Sequence, residues 1–214
     1  MRKKLNKSEV AEVVNILMDY HHDAECELVH TTAFELLIAT ILSAQCTDVR
    51  VNKITNELFK VANTPEAIID LGLESLIDYI RTAGFYNSKA KNIMETCRIL
   101  VEDYDSKVPD KMNELVKLPG VGRKTANVVL SNCFGVPAIA VDTHVFRVSN
   151  RIGLVNEKDV ESTEQALMKV LKKDIWTKMH HVLIFHGRRI CKARNPLCGE
   201  CPIVHLCLYY KNKK

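Results

Sequence analysis

No apolar run in this chain of 214 residues is long enough to cross a bilayer, which excludes a helical membrane protein. The longest such stretch, Leu36 to Leu42, is short and already interrupted by Thr40. The basic start, Met1-Arg2-Lys3-Lys4, leads into the amphipathic segment Ser8 to Tyr20 and not into the apolar core of a signal peptide. The sequence therefore reads as cytoplasmic, with no membrane partner. A sustained period-two alternation is also missing, so no strand competes with helix, and there is no internal repeat or low-complexity tract. Nor is there a large excess of one charge. Charged residues make up 26% of the chain and the formal net charge is +4, a mild basicity that fits a nucleic-acid partner without establishing one.

What is present is helical spacing. The hydrophobic content of 47% suffices for one large core or two small domains. Val10, Val13, Val14, Leu17 and Met18 form one stripe. Thr32 and Glu35 are spaced as a capping box opening a largely apolar helix through Leu42. Val51, Ile54, Leu58 and Val61 form another stripe, and Thr64-Pro65 reads as an N-cap followed by proline at the first helical position. Ala90, Ile93, Met94, Cys97, Leu100, Val101 and Tyr104 mark a long amphipathic helix. Further helices are expected over 124–134, 144–151, 160–171 and 176–186. The fold class is all-α. Gly135-Val136-Pro137 is the best place for a crossing between domains, because a helix must stop there.

Eight cysteines fall into two groups. Cys26, Cys46, Cys97 and Cys133 are widely spaced and read as small buried hydrophobes. Cys191, Cys198, Cys201 and Cys207 lie within 17 residues, spaced Cys-x6-Cys-x2-Cys-x5-Cys, and without a secretory signal this clustering argues for metal over disulfides. Zinc knuckles usually use two close pairs, whereas open loops of this kind suit a [4Fe–4S] cube in which each iron takes one thiolate. A structural zinc site and unrelated thiols are the alternatives. With a cluster bound, four thiolates and a 2+ core would bring the net charge from +4 to about +2. DNA contact would then rest on local cations: Arg188, Arg189, Lys192 and Arg194 flank the first cysteine, and Lys192 and Arg194 lie in a loop pinned by Cys191 and Cys198.

A second motif is Leu118-Pro119-Gly120-Val121-Gly122-Arg123-Lys124-Thr125-Ala126. Two glycines allow a tight turn and expose backbone N–H groups at a helix start, where orphan donors and the helix dipole favour a phosphate. It lacks the four-residue spacer of a P-loop. Lys124 falls in the first helical turn, where the dipole disfavours a second positive charge; that suits a lysine nucleophile, while a plain phosphate contact is the simpler role. Asp142, in Val141-Asp142-Thr143-His144, is placed to cap the next helix, and a capping carboxylate can also stabilise a cationic sugar or orient an amine.

In this order, Leu118 to Ala126, Val141 to His144 and the cysteine tail resemble the endonuclease III family of helix–hairpin–helix DNA glycosylases. Leu42-Ser-Ala-Gln-Cys-Thr-Asp48 and Gly84-Phe-Tyr-Asn-Ser-Lys-Ala90 match its pattern too, and the resemblance runs from about Glu9 to Tyr210. It implies two helical domains flanking a DNA-binding cleft: a six-helix barrel with the helix–hairpin–helix over residues 26–136, and a discontinuous iron–sulfur domain from residues 1–25 and 137–214. It implies a [4Fe–4S] cluster held by Cys191, Cys198, Cys201 and Cys207. Lys124 is then the nucleophile and Asp142 its partner. Gln45 and Phe85 fill the gap left by an extruded nucleotide, and Gly120, Val121, Gly122, Arg123, Thr125, Lys192 and Arg194 contact DNA. Cys46 and the bulky Phe85 depart from the small residue and aliphatic wedge of that pattern, which bears on opposite-base preference. The implied partner is double-stranded DNA with damaged pyrimidines or abasic sites, met by a monomer that releases the base and nicks the strand through a Schiff base. The competing readings are a monofunctional glycosylase that activates water, and a non-catalytic DNA-binding module with a zinc-stabilised tail.

Overall fold

The computed structural model describes residues 4–212, so Met1 to Lys3 of the basic start lie outside the described residues. These residues form twelve α-helices and no strand. In chain order the helices are α1 Lys7–Tyr20, α2 Ala33–Ser43, α3 Asp48–Leu58, α4 Pro65–Leu71, α5 Leu73–Ile80 and α6 Tyr86–Tyr104. They continue with α7 Met112–Leu115, α8 Arg123–Cys133, α9 Thr143–Ile152, α10 Val160–Val170, α11 Trp176–Arg189 and α12 Leu208–Lys211. None is long and apolar enough to cross a membrane.

The chain divides into two compact units, one combining the chain up to Glu25 with the chain from Pro137 onward, the other Cys26–Val136. In the second unit α2 is the hub. Every residue from Phe34 to Leu42 is buried, and the helix packs against α3, α6 and α8. Its start differs from the expected capping box. The Thr32 hydroxyl accepts from the Glu35 N–H, but the Glu35 carboxylate reaches past the cap to accept from the N–H and hydroxyl of Thr31, at 2.6 and 2.8 Å. α6, the longest helix, carries α4, α5 and α2 on its buried face of Ala90, Ile93, Cys97 and Leu100. Two elements have no clear start signal in sequence: α5 begins at Gly72 with no side-chain cap, and α7 is a single turn.

The other unit is built on α11, which packs against α9 and α1. Leu17, Val145, Val148, Met179, Leu183 and Ile203 sit at its centre. A full capping box starts α1: Asn6 Oδ1 accepts from the Glu9 N–H and Glu9 Oε2 accepts from the Asn6 N–H, both at 2.9 Å. α11 runs longer than its periodicity predicts because its last turn, ending in Arg188 and Arg189, places cations at the negative helix end.

Candidate functional site

The hairpin is the turn between α7 and α8. Gly120 sits at φ +77°, and a Cβ there would stand 3.0 Å from the Asn92 side chain and 3.4 Å from Ile41, so both conformation and space demand glycine. Val121 is buried beneath it and fixes the loop. Gly122 is the N-cap of α8, at φ −87° and with no side-chain cap. A Cβ on Gly122 would meet nothing within 4 Å. The first turn of α8 thus ends in open space, with Arg123 and Lys124 exposed and Thr125 half-buried. The Lys124 side chain engages no hydrogen bond or ion pair among the described residues.

Two further loops of the same unit carry exposed side chains on left-handed backbone: Gln45 at φ 54° and Phe85 at φ 58°, the latter 67% exposed. The two loops approach each other, since a Cβ on Gly84 would lie 3.6 Å from the Gln45 carbonyl oxygen.

In the other unit Asp142 caps α9. Its Oδ1 accepts from the N–H groups of both His144 and Val145 at 2.8 Å, which fixes the carboxyl and leaves Oδ2 uncommitted. Capping is the bland role foreseen for this residue, and it holds.

Cys191, Cys198, Cys201 and Cys207 line one small pocket, together with Ile152, Ile190 and Tyr209. Among the described residues no three His, Cys, Asp or Glu side chains converge on a single metal-ion position. Four cysteine sulfurs lining one pocket are a donor set that fits a polynuclear cluster, one thiolate to each iron. Burial pushes the Cys201 thiol up to about 11, and the three neighbouring sulfurs add to the rise. Burial likewise raises Cys207. Four thiolates here need a compensating cationic core. Of the remaining cysteines, Cys97 is the fully buried hydrophobe expected, with burial raising its thiol to about 12, whereas Cys26, Cys46 and Cys133 are only half-buried; no cysteine is in a disulfide.

Residues that motif reasoning passed over hold this segment. Arg151, in the last turn of α9, donates to the carbonyls of Lys192 and Ala193 at 2.7 and 3.0 Å and lies 3.8 Å from Cys191 Sγ. Arg147, one turn earlier, donates to the carbonyls of Gly187 and Cys191. Burial lowers the Arg147 pKa, while the Cys191 sulfur opposes the shift. Their i, i+4 spacing places them on one face of α9 but does not by itself point to the cysteine loop. The loop they grip presents Lys192 and Arg194, both exposed. Arg189 is instead committed to a bidentate pair with Asp23, at 2.9 and 2.7 Å, and stacks on Phe185. His186 is buried, as a packing residue should be, and its Nε2 lies 3.7 Å from Cys201 Sγ while its Nδ1 is 3.1 Å from His21 Nε2.

The fold and hairpin define the class. Residues 38–173 match the model of the HhH-GPD superfamily base excision DNA repair protein. Residues 191–207 match the iron–sulfur binding domain of endonuclease III. The chain is 52% identical over 205 residues to Endonuclease III of Haemophilus influenzae, covering 96% of this chain and 97% of that one. To Endonuclease III of Bacillus subtilis it is 50% identical over 204 residues, with 95% and 93% covered. It also superposes with a TM-score of 0.93 on the protein of a trapped Endonuclease III–DNA covalent intermediate, at 50% identity and with 98% and 99% of the two chains covered. The chain belongs to the endonuclease III family. It is a DNA-binding base-excision repair enzyme, at once a DNA glycosylase and an abasic-site lyase. Its cofactor is a [4Fe–4S] cluster, which the four cysteine sulfurs fit.

Proposed function

We propose that the chain excises oxidised or otherwise damaged pyrimidines from duplex DNA and nicks the resulting abasic site, with Lys124 as the nucleophile and Asp142 as its acidic partner. The observation that carries this reading is the uncommitted amine of Lys124, on an uncapped helix start that opens onto empty space past Gly122. The backbone at Gly120, Val121 and Gly122, with Arg123 and Thr125, holds a DNA phosphate. Lys192 and Arg194 hold a second stretch of backbone. Gln45 and Phe85 occupy the gap when the damaged nucleotide leaves the stack, a step that costs least where damage has already weakened stacking.

Chemistry then proceeds at the sugar. The Lys124 nitrogen attacks C1′ and the glycosidic bond breaks, its electron pair leaving with the base. The sugar ring opens to a protonated Schiff base on Lys124. Loss of a C2′ proton drives β-elimination, the C3′–O bond breaks and the 3′ phosphate departs. Asp142 Oδ2, with Oδ1 anchored to α9, stabilises positive charge on the sugar and assists proton transfer. The domain over residues 26–136 supplies hairpin, nucleophile and wedge; residues 1–25 and 137–214 supply the carboxylate and the cluster. The cluster is structural: when bound, it holds the tail in shape and does no chemistry on the substrate. A monomer suffices for this work, and eight cysteines outside disulfides suit a reducing cytoplasm.

Single-turnover assays on duplex DNA with an oxidised pyrimidine test the roles. Lys124→Gln should abolish both base release and nicking while leaving DNA affinity within a few-fold, roughly the worth of one phosphate contact. Asp142→Asn should slow base release by about 100-fold or more. The helix start should survive, because asparagine also caps well. Either variant turning over at the parent rate would remove its residue from the mechanism.

A further inference from the structure

Lys89 lies on the second turn of α6 and is 5% exposed. Its ammonium donates to the carbonyls of Leu42 and Ala44, at 2.8 and 2.7 Å. Those carbonyls end α2, where the last turn has no basic residue of its own. Lys89 therefore brings, from another helix, the cation that the negative end of α2 attracts. The same residue's backbone N–H donates to the Phe85 carbonyl at 3.1 Å. That backbone bond is the ordinary first bond of α6, so it is the Lys89 side chain that ties the chain entering Gln45 to the turn capped by Phe85, two of the exposed residues held in left-handed backbone. Such conformations persist only where the surroundings enforce them.

The geometry extends along one face of α6. Asn92 lies against the Cβ position of Gly120, and the Thr96 hydroxyl donates to the Pro119 carbonyl at 3.1 Å. Residues 85, 89, 92 and 96 recur at helical spacing, so one helix face sets the register of the Gln45 loop, the Phe85 loop and the hairpin. Burial lowers the Lys89 pKa, but its ammonium is held by two backbone carbonyls, the buried Leu42 and the more exposed Ala44, in a positioning role and not a nucleophile's.

We propose that Lys89 is a positioning residue for nucleotide extrusion, clipping the end of α2 to the start of α6 so that Gln45 and Phe85 enter the duplex as one preset wedge. This rests on the assignment of Gln45 and Phe85 to the gap left by the extruded nucleotide. The clip acts before the sugar chemistry, so its loss matters only where bases must be unstacked.

The test compares Lys89→Met, which keeps the stem and removes the ammonium, with Lys89→Arg, which restores donors. Each holoenzyme is assayed on an oxidised pyrimidine in a fully paired duplex, and on the same lesion inside a three-nucleotide bubble whose bases are already unstacked. A 2-aminopurine beside the lesion reports unstacking directly. Lys89→Met should lose about tenfold to a hundredfold in base release on the paired duplex, the scale of a misplacement near 1 Å. On the bubble it should lose about twofold or less, and the 2-aminopurine rise should slow in step with the paired-duplex loss. Lys89→Arg should recover most of both. Equal losses on the two substrates, or an unchanged 2-aminopurine rise, would overturn the proposal. Should Lys89→Met fail to fold, Lys89→Arg carries the same comparison: its partial defect must be confined to the paired duplex. The pair Gln45→Ala and Phe85→Ala separates the two levels, because full activity of both on the paired duplex would sink the wedge assignment itself.

Discussion

Gly120 and Gly122 stand two residues apart and are glycine for different reasons. At Gly120 a side chain would sit in left-handed backbone and press on Asn92. Gly120→Ala should therefore destabilise the protein by about 1–3 kcal/mol, read from denaturant midpoints. At Gly122 neither backbone nor neighbours require glycine; only an incoming DNA backbone does. Gly122→Ala should cost no more than about 1 kcal/mol in stability, the difference between these residues at an N-cap. Its duplex affinity, read by fluorescence anisotropy, should nevertheless fall by about tenfold, the worth of a charge-assisted hydrogen bond to phosphate. Equal stability losses in the two variants would contradict this division. At this scale the motif residues were legible: the glycines, Lys124, Asp142 and the four cysteines announce themselves by type and spacing. Lys89 did not. In Tyr86-Asn-Ser-Lys89 it reads as a surface lysine, and its burial comes from carbonyls 47 and 45 residues earlier in the chain.

Among the elements, α9 links the two halves of its unit's chemistry. Asp142 begins it and Arg151 ends it, gripping the loop that carries Lys192 and Arg194. Arg151→Met should cost about 1–2 kcal/mol, two partly exposed charge-assisted bonds to backbone. Cluster absorbance should be kept, and duplex affinity should weaken with a shallower salt dependence, because the loop cations no longer face the phosphates together. An unaltered salt slope would dissociate the loop from DNA binding. Helix legibility followed the caps. Thr64-Pro65 and Asp142 marked helix starts faithfully, whereas α5 starts on a glycine with no side-chain signal and α7 is too short for periodicity to show. The Thr32 box was half right, since Glu35 takes donors one residue further out, on Thr31.

For the whole molecule, all-helical architecture was legible because nothing in the sequence competed with a period of 3.6. The arrangement around the cluster was less so: arginines and histidines have no spacing rule that points at a cysteine loop. Several of those histidines are buried uncharged, with a consequence for stability. Burial lowers the His181 pKa to about 4, helped by Lys178, and burial lowers His21 to about 4, helped by Arg189. The unfolded chain takes up these protons first, so the stabilisation is complete above about pH 6.5 and is lost as pH falls towards about 4. Within that window each such histidine steepens the loss by at most about 1.4 kcal/mol per pH unit. Denaturant midpoints of wild type and His181→Asn between pH 7 and 4.5 should converge as pH falls; parallel curves would show that His181 takes up its proton equally in the folded and the unfolded chain.

The chemistry turns on one bond, between the Lys124 nitrogen and a sugar carbon. Borohydride added during reaction on duplex DNA containing an oxidised pyrimidine would reduce a Schiff base to a stable link. The wild-type protein should give a covalent protein–DNA adduct whose crosslinked peptide contains Lys124, and Lys124→Gln should give none. Normal base release by the wild type with no adduct, or an adduct that survives in Lys124→Gln, would contradict the account.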